Sequence, residues 1–209
     1  MTHHEEVVGI RVLGVGEVTA PPDRMAIDMA VSPRASSVNE AAAVASEKTA
    51  HLLEVLTGLG VDPTDMRTSH YSINPEYDHR DGGQRLLGFR VTNSLRVIVR
   101  DLDAAGSLID AAVDTGGDDL IVNNISYAIE DETELRGHAR EKAWAHALGQ
   151  AEHLATLSGR RLGAVSTIIE GTAAEPGPMA RMSAFTESTP IAPGTSTVQV
   201  TLDVRFALD

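Results

Sequence analysis

Alternating apolar and polar residues along much of the chain predict extended strands. The clearest case lies at the end, where polar residues separate Val198, Val200, Leu202, Val204, Phe206 and Leu208. A strand with this pattern buries one face and exposes the other to water. Similar alternation or short apolar runs predict six further strands, over residues 10–18, 25–31, 68–77, 87–99, 120–129 and 161–170.

Apolar residues at helical spacing, preceded by capping residues, predict three helices between these strands. The first follows a capping box formed by Ser37 and Glu40, and the second follows Asp101. Both are predicted to end at glycines, which tolerate the left-handed conformation that terminates many helices. The chain therefore alternates between hairpin-like strand pairs and single helices.

The third predicted helix runs from Glu132 to Ser158 and is about 40 Å long at 1.5 Å per residue, with Asp131 as its cap and a left-handed Gly159 at its end. Its apolar face is rich in small side chains, which let a helix lie close against a sheet: Ala143, Trp144, Ala147, Leu148, Ala151, Leu154 and Ala155. Arg140 falls inside this apolar arc. A guanidinium there is expected to be paired or to donate to strand carbonyls, which makes Arg140 a structural residue, with anion binding as the alternative role.

The order of elements predicts an α+β fold of about seven strands and three helices, in the order ββαββαβαββ. The turn at Ala20–Asp23 and the loop at Asp78–Gln84 each predict a hairpin, so the sheet is expected to be mostly antiparallel, with helices on one side. Residues 1–9 are expected to be a flexible N-terminus, and residues 10–209 one domain.

The segment Gly171–Gly194 interrupts this regular pattern. It is rich in Pro, Gly, Ala, Ser and Thr and has no usable periodicity, so we expect a mobile excursion. It nevertheless carries four apolar residues that would stay exposed to water unless another surface buried them: Met179, Met182, Phe185 and Ile191. The last strand, with few charges, would also suit an open sheet edge. Both features predict contact between subunits in a homo-oligomer, and a loop without a partner is the alternative for the segment.

Composition removes several classes of function. The net charge of -13 and the pI near 4.9 disfavour nucleic acid and anionic membranes as partners, since both attract clustered Lys and Arg. The chain has no cysteine, which excludes disulfides, thiolate zinc sites and cysteine nucleophiles. No apolar run approaches the ~20 residues of a membrane span, and the first residues do not resemble a signal peptide. We therefore expect a cytosolic protein without membrane insertion, or an exported one whose leader has been removed.

No motif of a known catalytic type is present, and no cofactor is expected. Gly14 and Gly16 suggest a dinucleotide-binding loop, but Thr19 occupies the third glycine position and two prolines follow. A hairpin is the better interpretation. Two carboxylate pairs suit acid and base catalysis in principle, namely Asp101 with Asp103 and Asp118 with Asp119. Asp101 is better explained as a helix cap, and the second pair as a polar turn.

The densest group of potential metal ligands comprises His70, Glu76, Asp78 and His79. Their spacing matches no known ligand pattern, so a solvated loop is the better interpretation and no bound metal is expected. Three other histidines lie too far apart along the third helix, by ~10 Å or more, to share one ion: His138, His146 and His153.

Several stretches, taken in order, resemble the SIMPL domain family, also called DUF541, which includes periplasmic immunogenic proteins of about this size. They are IRVLGVGEVTAPPD at 10–23, GVDPTDMRTS at 60–69, NPEY at 74–77, GFRVTNSLRVIVRDL at 88–102, AREKAWAHA at 139–147 and PIAPGTSTVQV at 190–200. The resemblance implies an α+β fold and self-assembly into large rings, and it supplies no reaction or catalytic residue.

These observations together predict a non-enzymatic, self-assembling protein whose only expected partner is itself. Two alternatives stay open. One is a carrier of an unidentified small molecule, with a pocket between helices and sheet. The other is a metal-assisted hydrolase that uses the cluster from His70 to His79.

Overall fold

The computed structural model describes residues 9–78, 84–172 and 193–209, and it confirms the predicted α+β class. Within these residues the order of elements matches the predicted one, apart from one additional strand of two residues. The elements are β1 Gly9–Ala20, β2 Arg24–Val31, β3 Arg34–Ala35, α1 Val38–Gly58, β4 Met66–Asp78, β5 Arg85–Val99, α2 Ala105–Gly116, β6 Leu120–Ala128, α3 Thr133–Leu157, β7 Leu162–Thr172 and β8 Ser196–Leu208.

The strands form two antiparallel sheets, and the predicted hairpin at Ala20–Asp23 is wrong. β1 pairs along its whole length with β8, in a sheet of order β1-β8-β7. β2 instead lies between β5 and β6 in the second sheet, where β3 and β4 also pair with β5. The predicted hairpin of β4 and β5 is confirmed. Pro21 and Pro22 therefore connect a strand of one sheet to a strand of the other. The prediction failed because alternation identifies a strand without identifying its partner.

The chain divides into two compact units. The first contains the three-stranded sheet and α3, and its described part is residues 9–21, 129–172 and 194–209. The second contains the other sheet with α1 and α2, and its described part is largely residues 22–78 and 84–128.

In the first unit, α3 packs on β1 and β8 through a row of small residues spaced by four. The completely or almost completely buried members of this row are Ala139, Ala143, Ala147, Ala151 and Ala155. They meet the inward face of β8, which includes Val200, Val204 and Phe206. Trp144 and Leu148, predicted for this face, pack beside the row, whereas the side chain of Leu154 is exposed.

Gly14 and Gly16 on β1 make this close approach possible. A Cβ atom added at Gly14 would lie 2.0 Å from the backbone oxygen of Ala143, and one added at Gly16 would lie 2.0 Å from that of Ala139. No real side chain tolerates such distances. The two glycines therefore belong to the packing of α3 against the sheet, which accounts for them without a nucleotide.

The ends of α3 follow the sequence signals in part. Asp131 accepts a hydrogen bond from the Thr133 N–H at 2.9 Å, ahead of the first turn. At the other end, Gly159 adopts φ 72°, and the Arg160 N–H bonds back to the Ala155 oxygen at 3.1 Å. This left-handed glycine closes the helix as predicted.

In the second unit, α1 and α2 cover one face of the sheet. Leu52 and Leu56 of α1 and Leu108 of α2 pack with Met25 and Ile27 of β2 in one buried cluster. The cap of α1 is the predicted one, since the Ser37 hydroxyl accepts from the Glu40 N–H at 3.3 Å. The cover is incomplete, because neither helix packs extensively on the outer strand β4.

Candidate functional site

The three-stranded sheet has two outer strands, and side chains of α3 cover the free edge of one of them. The Val15 N–H of β1 donates to His146 Nδ1 at 3.1 Å, and Lys142 Nζ donates to the Glu17 carbonyl oxygen at 3.0 Å. Gln150 holds the second ring nitrogen of His146 at 2.7 Å. Backbone groups that would otherwise offer pairing sites at the edge of β1 are thus already bonded within the chain.

The opposite edge strand, β7, is tied to α3 at one point. Arg140 Nε and Nη2 donate to the two carboxylate oxygens of Glu170 at 2.7 and 2.9 Å. This two-point contact with the Arg140 guanidinium holds the pKa of Glu170 below its usual value. The guanidinium of Arg140 is thus paired, and half of its side chain is exposed. Its long stem leaves the helix sideways towards β7, and its role as a structural residue stays a prediction.

From Ala164 to Gly171, β7 is exposed on both faces, whereas Leu162 packs against the buried cluster of α3 and the sheet. Ile168 and Ile169 are 54% and 58% exposed, although they point to opposite sides of the sheet. Ile168 is on the side of α3, yet α3 lies over β1 and β8 and leaves it uncovered. Apart from Glu170, this strand of 11 residues carries no charged side chain. Among the described residues, β7 pairs with β8 alone.

The order of strands also corrects one prediction about assembly. The last strand, β8, was expected to supply an open edge, but it pairs with β1 on one side and β7 on the other. The four apolar residues assigned to subunit contact, Met179, Met182, Phe185 and Ile191, lie outside the described residues. Their segment follows β7 in the sequence.

A second group of exposed apolar side chains lies on the hairpin of β4 and β5. It consists of Tyr71, Ile73, Tyr77, Leu86 and Leu87. This strand pair extends beyond the area that α1 and α2 cover.

The predicted cluster of metal ligands lies on the same hairpin. Its carboxylate at Glu76 is bound by Arg90 and lies 3.5 Å from Arg34, and the Arg90 contact is the main cause of its lowered pKa. His70 is exposed on β4, and His79 lies outside the described residues. No group of three ligating side chains occurs in the described ranges. The carboxylate of Glu76 is therefore already paired with Arg90 and Arg34.

The two carboxylate pairs take part in local structure. Asp101 Oδ1 accepts from the backbone N–H groups of Asp103 and Ala104, at 3.1 and 3.3 Å, just ahead of α2. Asp119 receives the Lys48 ammonium at 2.5 Å. These contacts agree with the capping and turn interpretations.

One depression in the second unit has the size of a ligand site, with a volume of about 380 Å³. It lies between the start of α2 and the end of β5, and Val61, Val99 and Leu108 supply its apolar part. At its rim, Arg100 Nε and Nη2 donate to the Asp65 carboxylate at 2.8 and 3.1 Å.

Sequence reasoning missed the residues that distinguish the two edges of the first unit. The sequence pattern singles out His146 only as a potential metal ligand and gives Lys142 no role. A usable signal exists, since both precede a buried alanine by one position and therefore flank the packed row on the same side. Their partners on β1 depend on strand order, which the sequence pattern does not give.

Comparison with known proteins adds a family. A family model named SIMPL, described as a protein of unknown function (DUF541), matches residues 10–206. The 26 kDa periplasmic immunogenic proteins of Brucella melitensis and Brucella abortus are each 31% identical over 216 aligned positions, which cover 95% of this chain and 84% of theirs. The uncharacterized protein YggE of Escherichia coli K12 is 28% identical over 81% of this chain and 68% of its own. No helix in the described ranges is long and apolar enough to cross a membrane.

Proposed function

The chain belongs to the SIMPL family of proteins of unknown function, and on that premise we propose that it is a non-enzymatic protein that works as a closed homo-oligomer. The observation that carries this proposal is the edge strand β7, whose Ile168 and Ile169 are more than half exposed. Exposed β-branched residues on an edge strand with a single charge are an aggregation hazard unless another chain covers them.

The net charge of the chain also favours contact between copies through β7. At a net charge of -13, two copies repel one another over most orientations. Contact therefore favours the least charged surface, and on β7 the single carboxylate, Glu170, is already neutralised by Arg140.

The candidate chemical groups support a role without catalysis. Glu76, Asp101 and Asp119 each take part in an ion pair or a cap, so these carboxylates serve the fold. The metal-assisted hydrolase has no observation of its own to support it.

The proposal includes an envelope location. The names of the Brucella relatives describe those proteins as periplasmic, and we extend this location to the present chain. The cytosolic location expected from the sequence has no support among the relatives. Fractionation of the source cells tests this part, and recovery of the protein with cytosolic markers would contradict it.

Native mass spectrometry of the purified protein tests the assembly. We expect one discrete mass above that of the monomer at micromolar concentration, and a monomer alone would refute the proposal. Replacement of residues 172–188 by a short Gly-Ser linker tests the segment that follows β7. Because doubling a loop changes its closure free energy by only about 0.6 kcal/mol, the circular dichroism should persist while the assembled mass falls. A Gly-Ser replacement of equal length at residues 79–83 is the matched control, which should keep the mass.

The depression near α2 favours a second candidate, a carrier of a small molecule. Its volume of about 380 Å³ lies within the usual range of ligand sites, roughly 300 to 1,000 Å³. The same mass spectra test it. A carrier should show a mass excess under native conditions that disappears on denaturation and in a Leu108→Trp variant, whose larger side chain fills the depression.

A further inference from the structure

We propose that two copies of the chain join through β7, antiparallel about a two-fold axis, so that two three-stranded sheets become one sheet of six strands. This inference rests on the proposed self-assembly and names the surface that carries it. Paired backbone groups of two β7 strands supply the contact, and the exposed isoleucines of both copies pack beside them.

First, the two edges of this sheet differ. On β1, the α3 side chains of His146 and Lys142 already bond outward groups of Val15 and Glu17, in the middle of the strand. On β7, the hydrogen bonds with α3 in the described residues go to the side chain of Glu170 and not to the strand backbone. A second copy therefore meets an obstacle on β1 and a less obstructed pairing surface on β7.

The second step identifies the backbone groups at the open edge. Antiparallel residues point their N–H and C=O groups to alternate edges. Because Val15 points away from β8, its partner Thr201 points towards β7, and so does Arg205, whose carbonyl accepts from the Ser166 hydroxyl. Ile168 pairs with the residue before Arg205, so its own N–H and C=O point to the open edge.

The third step is charge. β7 follows Arg160 and Arg161 and has Glu170 near its other end. An axis near Ser166 turns the arginine end of one copy towards the glutamate end of the other. Because Glu170 is already paired with Arg140 in its own copy, this arrangement sets no two acidic residues of β7 opposite each other, which favours contact between two acidic chains.

The outer strands β6 and β4 of the other sheet are less suited to pairing with a second copy. For β6, an axis at Asn124 would set Asp118 opposite Glu130 and bring further acidic residues together. β4 carries Pro75, which has no N–H to donate, and prolines are a common protection of sheet edges. Register irregularities do not separate the two strands, because the pairing of β7 with β8 also has two, on either side of Val165.

Symmetry fixes the direction of pairing. Identical strands that pair antiparallel are related by a two-fold axis, and the contact closes after two copies. Such a pair leaves other surfaces, including the segment after β7, to build any larger ring.

Single-cysteine variants test the pairing directly, because the chain has no cysteine of its own. We expect oxidation of a series from Ala164 to Gly171 to give cross-linked dimer with one maximum. Only the residue nearest the axis faces its own copy at about 4.5 to 5.5 Å, a distance that a disulfide spans. Mixed variants equally spaced on either side of the maximum should cross-link to each other. Leu13→Cys, at an equally exposed site on β1, measures chance collisions.

Ile168→Pro provides an independent measurement, because proline lacks the N–H that Ile168 points to the open edge, away from β8. We expect it to lower the dimer fraction at least tenfold, while Ile168→Ala, which keeps the N–H, lowers it less. A wild-type monomer would overturn both this inference and the proposed function. An assembled protein with no cross-linking maximum on β7 above the Leu13→Cys level, or with equal effects of the two Ile168 variants, would overturn this inference alone.

Discussion

Gly14→Ala is predicted to destabilise the first unit by about 3 kcal/mol, the upper end of the usual range for overpacking. The new methyl group would lie 2.0 Å from the Ala143 oxygen, whereas ordinary Cβ contacts begin at 3.4 Å, so α3 must retreat by about 1.4 Å. The obstacle is backbone and has no rotamer to change. A gap of 0.5–1 Å already forfeits about a quarter to a half of each dispersion contact, so the alanine row would lose much of its packing.

Urea unfolding followed by tryptophan fluorescence measures this change. The chain has one tryptophan, Trp144, which lies on α3 with its ring centre 6.1 Å from that of Phe206. For a slope of about 1–3 kcal/mol per molar urea, the midpoint should fall by roughly 1–3 M.

The matched control is Gly149→Ala on the same helix, where an added Cβ meets nothing within 4 Å. It should stabilise the unit by about 0.5–1 kcal/mol, since alanine favours a helix over glycine. If Gly14→Ala stays within about 0.5 kcal/mol of the parent, or if both variants destabilise equally, the account of close packing is wrong.

Three further predictions concern charges and metal. Arg140→Ala should lower the urea midpoint less than Gly14→Ala does, because the pair with Glu170 is half exposed. Arg140→Lys should restore the midpoint only in part, and 1 M salt should reduce the difference between the parent and Arg140→Ala. The Arg96 ion pair lowers the pKa of Asp28 in the folded protein, so the pair stabilises the fold above the unfolded pKa near 3.8, and this stabilisation is lost as the pH falls through the folded pKa. Asp28→Asn should therefore reduce the loss of unfolding free energy between neutral and acid pH. An unchanged pH dependence of the unfolding free energy would contradict this prediction. Elemental analysis should find no stoichiometric transition metal, and a metal that is lost in a His70→Ala His79→Ala variant would reopen the hydrolase alternative.

The local pattern of the sequence predicts an element well where that element buries one face. The alternation of β8 from Val198 to Phe206 and the alanine spacing of α3 both identify the faces that are buried in the structure. The helix stop at Gly159 was also predictable, since a left-handed residue there relies on local geometry alone. The family was recognisable from the ordered motifs.

Pairing between strands was not predictable in the same way. β1 and β2 both alternate, and nothing in their pattern indicates that Val12 faces Val204 of β8 while Ile27 faces Val97 of β5. The exposure of Arg140 did not follow from the pattern, because a helical wheel gives the direction of Cα–Cβ and ignores a long flexible stem. The capping of β1 by His146 depends on both the strand order and the close approach of the helix.

The pairing of β1 with β8 joins almost the two ends of the chain, and this has a consequence for folding order. Arg11 and Asp203 bond to each other across a sequence separation of 192 residues. Non-local contacts of this kind form slowly, because a long loop must close before any of them contributes stability. The second unit draws largely on the continuous stretch 22–128, so most of its contacts close shorter loops. β1, by contrast, stays without its partner strand until β8, nearly the whole length of the domain away in sequence, has reached it.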